Sequence, residues 1–234
     1  MLAGLLDTVY TNIYQMVIGK KYNATDLGYY TRANGLAQLP SANITGIIQR
    51  VSFPVLSEIQ DDPARLSSNY RRLLKMAAFI IFPVMSMLAA LGNPLIRLLL
   101  TDKWLPAVPL MQILCFSFMF YPIHAINLNL LQVKGRSDLF LRLEIIKKLM
   151  ITLVLFITFS FGILAICTGT VLTSVIALVI NTYYTGKLIN VGFLRQMKDI
   201  SLIFLVSLLS GGSAFLITLL IDIPMLQLLV GGTI

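Results

Sequence analysis

Apolar residues in this chain come in long runs separated by short polar clusters, and the runs do not alternate in the two-residue period of a strand. Runs of about 20 residues are the length of a helix crossing a bilayer. The pattern predicts helices at 2–18, 27–59, 76–91, 106–133, 139–161, 162–184 and 200–220, with an eighth apolar run that begins after Pro224 and stops at Ile234. About 11 residues fall short of a span, so this eighth helix is expected to be truncated. The fold class that follows is all-α: a polytopic transmembrane bundle of about seven spans plus the truncated eighth.

Two stretches depart from the apolar runs. Residues 61–75 open with Asp61-Asp62-Pro63, a helix-start signal. They then set Leu66, Tyr70, Leu73 and Leu74 in a stripe against Arg65, Arg71, Arg72 and Lys75. That is an amphipathic helix expected to lie at the membrane surface. The short segment 95–104 ends in Trp104, placed to anchor at an interface. Pro40 and Pro54 are expected to bend or break the second helix. Gly135-Arg136-Ser137-Asp138 marks a turn, Glu144 and Lys148 have the favourable acid-to-base spacing on one helix, and Gly211-Gly212 allows close helix packing.

Composition strengthens this picture. Hydrophobic residues make up 57% of the chain, charged residues 12%, and the mean hydropathy is +0.85. A soluble domain averages about 45–50% apolar and about 25% charged. The net charge of +8 does not indicate nucleic acid, because the cations sit in the connections. With the N-terminus on the cytoplasmic side, the inner segments 61–75, 134–148 and 187–198 hold twelve of the eighteen lysines and arginines. Only Lys20, Lys21, Arg97 and Lys103 fall outside, which is the asymmetry of the positive-inside rule. Cys115 and Cys167 lie in apolar runs without metal-ligand spacing and are expected to be core residues. No carboxylate pair, nucleophile–base set or cofactor motif is evident, so neither enzyme activity nor a cofactor is expected.

Arg32 and Arg50 carry the most functional information. They lie eighteen residues apart in the second helix, about five turns, and so share a face with Asn43 nearby. Charges at membrane depth face a cavity or a partner rather than lipid. Two cations on one face suit an anionic ligand, and the arginine fork suits phosphate in particular. Snorkelling or structural pairing competes for Arg50, and an outer anchoring role competes for Arg32. On the first helix Asp7, Tyr10 and Tyr14 make a polar side, with Asp7 placed to pair with an arginine and the tyrosines to hydrogen-bond a polar ligand. His124 with Asn127 is read as polar helix packing before a proton relay. The sequons at Asn23 and Asn43 are set aside.

The runs Asp26-Leu-Gly-Tyr-Tyr-Thr-Arg32, Val51-Ser-Phe-Pro-Val-Leu-Ser57, Leu98-Leu-Leu-Thr-Asp-Lys-Trp-Leu105 and Gly135-Arg-Ser-Asp-Leu-Phe-Leu-Arg-Leu-Glu-Ile-Ile-Lys-Lys148 resemble bacterial polysaccharide transporters. The group is the Wzx-type oligosaccharide flippases (lipopolysaccharide biosynthesis proteins) of the multidrug/oligosaccharidyl-lipid/polysaccharide superfamily. The resemblance implies that residues 1–234 form a single lobe, the second of two, with 61–75 as its cytoplasmic-side segment. It implies flipping of an undecaprenyl-diphosphate-linked oligosaccharide across the bacterial inner membrane by alternating access. The implied partners are that lipid-linked oligosaccharide, membrane lipids and the missing N-terminal lobe. Another secondary exporter of the same fold and a non-transporting membrane remnant are the alternatives.

Overall fold

The computed structural model describes residues 2–221 and 224–232, with side chains from residue 12 onward except that of residue 229. The order is α1 (Leu2–Lys21), α2 (Ala24–Glu58), α3 (Pro63–Ala90), α4 (Gly92–Leu99), a 3-10 turn at Asp102–Trp104, α5 (Ala107–Met119), α6 (Tyr121–Val133), α7 (Ser137–Thr158), α8 (Ile163–Ile189), α9 (Phe193–Leu220) and α10 (Pro224–Gly231). Among the described residues there is no strand. The segments Pro63–Ala90, Ala107–Val133, Ile163–Ile189 and Phe193–Leu220 are long and apolar enough to cross a membrane.

The rods run up and down between two ends. At one end Lys134 reaches the Gln60 carbonyl, and Arg71 and Lys75 flank Asp199. At the other, Lys21 meets Phe159 and Arg32 meets Trp104. The connections 59–62, 134–136 and 190–192 therefore share the Lys134 end. The connections 22–23, 91–106 and 159–162 share the Trp104 end.

Several helix starts have a local cause. Asn23 accepts from the Asp26 amide at 2.7 Å. Asp62 accepts from Ala64 and Arg65 at 3.1 and 3.0 Å with Pro63 next to it, as the sequence signal predicts. Gly135 takes a positive φ of 64° in the turn before α7. There Arg136 grips Asp138 through two 2.9 Å bonds, and this hydrogen bonding holds the exposed Asp138 carboxyl down at about 2.

Four expectations are corrected. Pro40 and Pro54 do not break α2, which is continuous over 35 residues. Residues 61–75 are not a separate surface helix, because Pro63 onward runs without interruption into the apolar part of α3. Twenty-eight residues rise about 42 Å, so the first turns of α3 extend past a hydrocarbon core of about 30 Å. Leu66, Tyr70 and Leu74 are buried as the stripe requires, while Arg71 and Lys75 are engaged with Asp199. The single helix expected over 106–133 is broken at Phe120. Pro122 cannot donate to the Phe118 carbonyl four residues back, and the Ser41 hydroxyl donates to it instead at 2.7 Å. Lastly, α9 starts at Phe193 rather than Ile200.

The core lies where α3, α5, α6 and α9 meet. Phe82 packs edge-on against Phe120 and Phe204, at 5.8 and 5.5 Å between ring centres, filling the break between α5 and α6. Gly211 of α9 lies against Ser86 of α3: a Cβ there would sit 2.6 Å from Ser86 Oγ and 3.0 Å from its carbonyl oxygen. The expected close packing is thus real at Gly211, whereas Gly212 faces open space. Cys115 and Cys167 are buried free thiols.

Candidate functional site

The structure divides the predicted site residues between two faces of α2. Arg32, Asn43 and Arg50 all lie on its exposed face, with the large apolar neighbours Leu39 and Ile47 also exposed. A side chain added at Gly35 or Gly46 would meet nothing within 4 Å, so small residues also flatten this outward surface. Arg32 places its guanidinium 5.6 Å from the Trp104 ring centre, and Tyr29 packs edge-on to the same ring at 5.9 Å. Arg50 forms no ion pair or hydrogen bond through its side chain among the described residues. The two arginines are about 27 Å apart along the helix.

Tyr14 is on the other side, in a cleft of about 520 Å³ walled by α1, α2, α5, α6, α7 and α8. The structure therefore does not bring Tyr14 together with the arginines. Asp7 and Tyr10 belong to α1, but their side chains lie outside the described residues.

At the α7 wall of this cleft Glu144 pairs with Lys147, three residues away. His124 lies at the α6 wall, 3.2 Å from Ser174 Oγ through Nε2 and 3.2 Å from Asn181 through Nδ1. Behind it is a buried amide network. Asn127 donates to Gln196 at 3.1 Å and accepts from Thr185 at 2.7 Å and from Gln196 at 3.2 Å. Asn129 donates to Ser52 at 3.1 Å. These bonds join α6 to α2, α8 and α9, which is the polar helix packing expected of His124 and Asn127. Gln196, Thr185, Asn181 and Ser52 were not singled out in the sequence. Asn181 and Thr185, four apart in an apolar helix, were the available signal, because a buried amide in such a run needs a partner.

The Trp104 end of the cleft side is tied shut. Lys21 Nζ and Tyr22 OH both donate to the Phe159 carbonyl at 2.8 Å, and the Lys21 ammonium lies 3.8 Å from the Phe159 ring centre. Phe159 follows the last turn of α7, where carbonyls lack helical partners and attract cations.

Comparison with known proteins converges on this architecture. Residues 1–109 match the polysaccharide biosynthesis protein family. An uncharacterized membrane protein in the cps region of Klebsiella pneumoniae is 31% identical over 62% of this chain and 30% of its own length. The lipopolysaccharide biosynthesis protein WzxC of Escherichia coli (strain K12) is 29% identical over 61% of this chain and 29% of its own. The teichuronic acid biosynthesis protein TuaB of Bacillus subtilis (strain 168) is 26% identical over 92% of this chain and 45% of its own. The chain thus spans less than half the length of these relatives. In fold it is similar to the lipid II flippase MurJ in an inward closed conformation, with a TM-score of 0.76 over 99% of this chain and 51% of that one, at 18% identity. Apolar helices and membrane relatives together make it a multi-pass membrane protein. Sequence and fold agree with the motifs: the chain is similar in sequence to polysaccharide biosynthesis proteins such as WzxC and TuaB, and in fold to the flippase MurJ.

Proposed function

We propose that the chain forms one lobe of a transporter that moves an oligosaccharide linked to undecaprenyl diphosphate across the bacterial inner membrane, for assembly of surface polysaccharide or lipopolysaccharide. The observation that carries this is the outward face of α2. It holds Arg50, unpaired among the described residues, with Arg32 and Asn43, on a surface of small and apolar residues. A charge at membrane depth without an internal partner calls for an external one. A second lobe facing α2 would enclose these cations in a cavity, where Arg50 takes the diphosphate and Asn43 the adjoining sugar. Arg32, already lying over the Trp104 ring, sets the outer limit of that cavity. The lipid tail stays in the bilayer while the two lobes rock around the bound head group. The names of the relatives, which concern polysaccharide biosynthesis and lipid II flipping, support the same substrate class. Asp7, Tyr10 and Tyr14 remain further candidates on α1.

Deleting the gene in its host tests the reading. Loss of surface polysaccharide, with lipid-linked oligosaccharide accumulating on the cytoplasmic leaflet, is the expected result. Unchanged surface polysaccharide would refute it.

A further inference from the structure

Two cations of α3 converge on one carboxylate of α9. Arg71 donates to Asp199 through Nε and Nη2 at 2.6 and 2.7 Å, and Lys75 Nζ lies 3.1 Å from the same carboxylate. Asp199 is only 4% exposed, whereas the side chains of Arg71 and Lys75 are 40% and 49% exposed. The carboxylate therefore sits beneath its partners and fixes them, and one positive charge is left over. Arg71 spends one edge of its guanidinium on Asp199, so its Nη1 hydrogens stay available to another acceptor, and the Lys75 ammonium also has donors to spare. Arg72 and Lys198, on the same two helices, are exposed and make no ion pair among the described residues.

The depth of this cluster and the surface beyond it narrow what it can meet. Arg71 lies about 12 Å along α3 from its start at Pro63, and α3 exceeds a hydrocarbon core by about the same length. The cations therefore stand where lipid phosphates lie. From there toward the bilayer centre the α3/α9 seam turns apolar and stays open. Phe79, one turn beyond Lys75, is 70% exposed; Leu202 and Val206, one and two turns beyond Asp199, are 71% and 57% exposed. A basic residue that only marks topology snorkels by itself. Here a buried carboxylate holds two cations in fixed geometry at the head of an apolar track, with charge to spare. That arrangement matches a phosphate carrying a hydrocarbon chain. We infer that the α3/α9 seam binds an anionic glycerophospholipid of the leaflet at the Lys134 end, its phosphate on Arg71 and Lys75 and an acyl chain along Phe79, Leu202 and Val206. The site lies on different helices from the cationic face of α2 and does not rest on the transport reading.

The test titrates the purified chain with dioleoylphosphatidylglycerol or dioleoylphosphatidylcholine and counts bound lipids by native mass spectrometry. Phosphatidylglycerol should bind at least about fivefold more tightly, the effect of one surplus cation. Arg71→Gln, Lys75→Gln and Asp199→Asn combined, which strand no carboxylate, should abolish that preference. Arg142→Gln with Lys187→Gln, which removes more charge at the same end from α7 and α8, should leave it intact. Circular dichroism verifies that each variant folds. A second measurement keeps the cluster unaltered: in phosphatidylcholine nanodiscs, Phe79→Trp should be quenched more by phosphatidylglycerol with brominated chains than by the equally brominated phosphatidylcholine, above the Trp104 background of the wild type. Equal binding of the two lipids, or a loss of preference shared by the α7/α8 control, would overturn the inference. So would displacement of phosphatidylglycerol by soluble glycerol 3-phosphate, which would make the phosphate alone the ligand. Tighter binding of undecaprenyl phosphate than of phosphatidylglycerol would give the seam to the transported lipid and would overturn it as well.

Discussion

Replacing Asn127 by leucine isolates the contribution of the buried amide network. Asn127 is 1% exposed and is the shared partner of Thr185 and Gln196. After the change Thr185 still has the Asn181 carbonyl at 3.3 Å, and the Gln196 amide nitrogen still has the Val191 carbonyl at 2.9 Å. Gln196 Oε1 is the atom left without a donor. An orphaned buried polar group costs about 1–3 kcal/mol, and an interhelical hydrogen bond in a membrane averages about 0.6 kcal/mol. The expected loss is therefore about 2 kcal/mol. Adding Gln196→Leu removes the orphan together with its lost partner, so the double variant should be no less stable than Gln196→Leu alone. The coupling between the two sites is then at least about 2 kcal/mol. Reversible unfolding in mixed lipid–SDS micelles, followed by helical circular dichroism, measures all three. Additive losses, or an Asn127→Leu cost within about 0.5 kcal/mol of zero, would refute the network as a coupled unit.

Other changes probe the remaining contacts. Gly211→Val must push α9 away from Ser86 and should cost about 1–3 kcal/mol in the same unfolding assay, whereas Gly212→Val, facing open space, should be close to neutral. Asp199→Asn frees two cations that are 40% and 49% exposed and rehydrate readily, so it should destabilise less than Arg71→Met with Lys75→Met, which strands a carboxylate only 4% exposed. Unfolding midpoints in the reverse order would contradict that. Lys21→Met with Tyr22→Phe removes both donors to the Phe159 carbonyl. Spin labels at positions 20 and 160 should then show a broader distance distribution, and an unchanged one would mean the tie does not hold α1 to α7.

Much of the fold was legible because apolar runs of membrane length leave few alternatives, and the Asp62–Pro63 start and the Gly135 turn are local signals. What was missed depended on partners distant in sequence. The two polar turns at the start of α9 read as a loop, yet Asp199 and Gln196 find Arg71, Lys75 and Asn127 there and make helix affordable. The break at Phe120 requires Ser41, far away in α2, to satisfy the Phe118 carbonyl. For the site, helical spacing put Arg32, Asn43 and Arg50 on one face, and they do share it. Spacing along one helix could not reveal that Tyr14 belongs to a cleft on the opposite side, because that depends on how α1, α7 and α8 pack around α2.

The central proposal, that the α2 face receives the diphosphate of a lipid-linked oligosaccharide, is tested most directly by flipping in proteoliposomes. The protein is reconstituted as it exists in its host, and lectin capture reports which leaflet holds the glycan. Wild-type protein should carry the lipid-linked oligosaccharide across, and Arg50→Gln should slow this at least tenfold at equal incorporation. Equal rates for the two proteins would contradict the account.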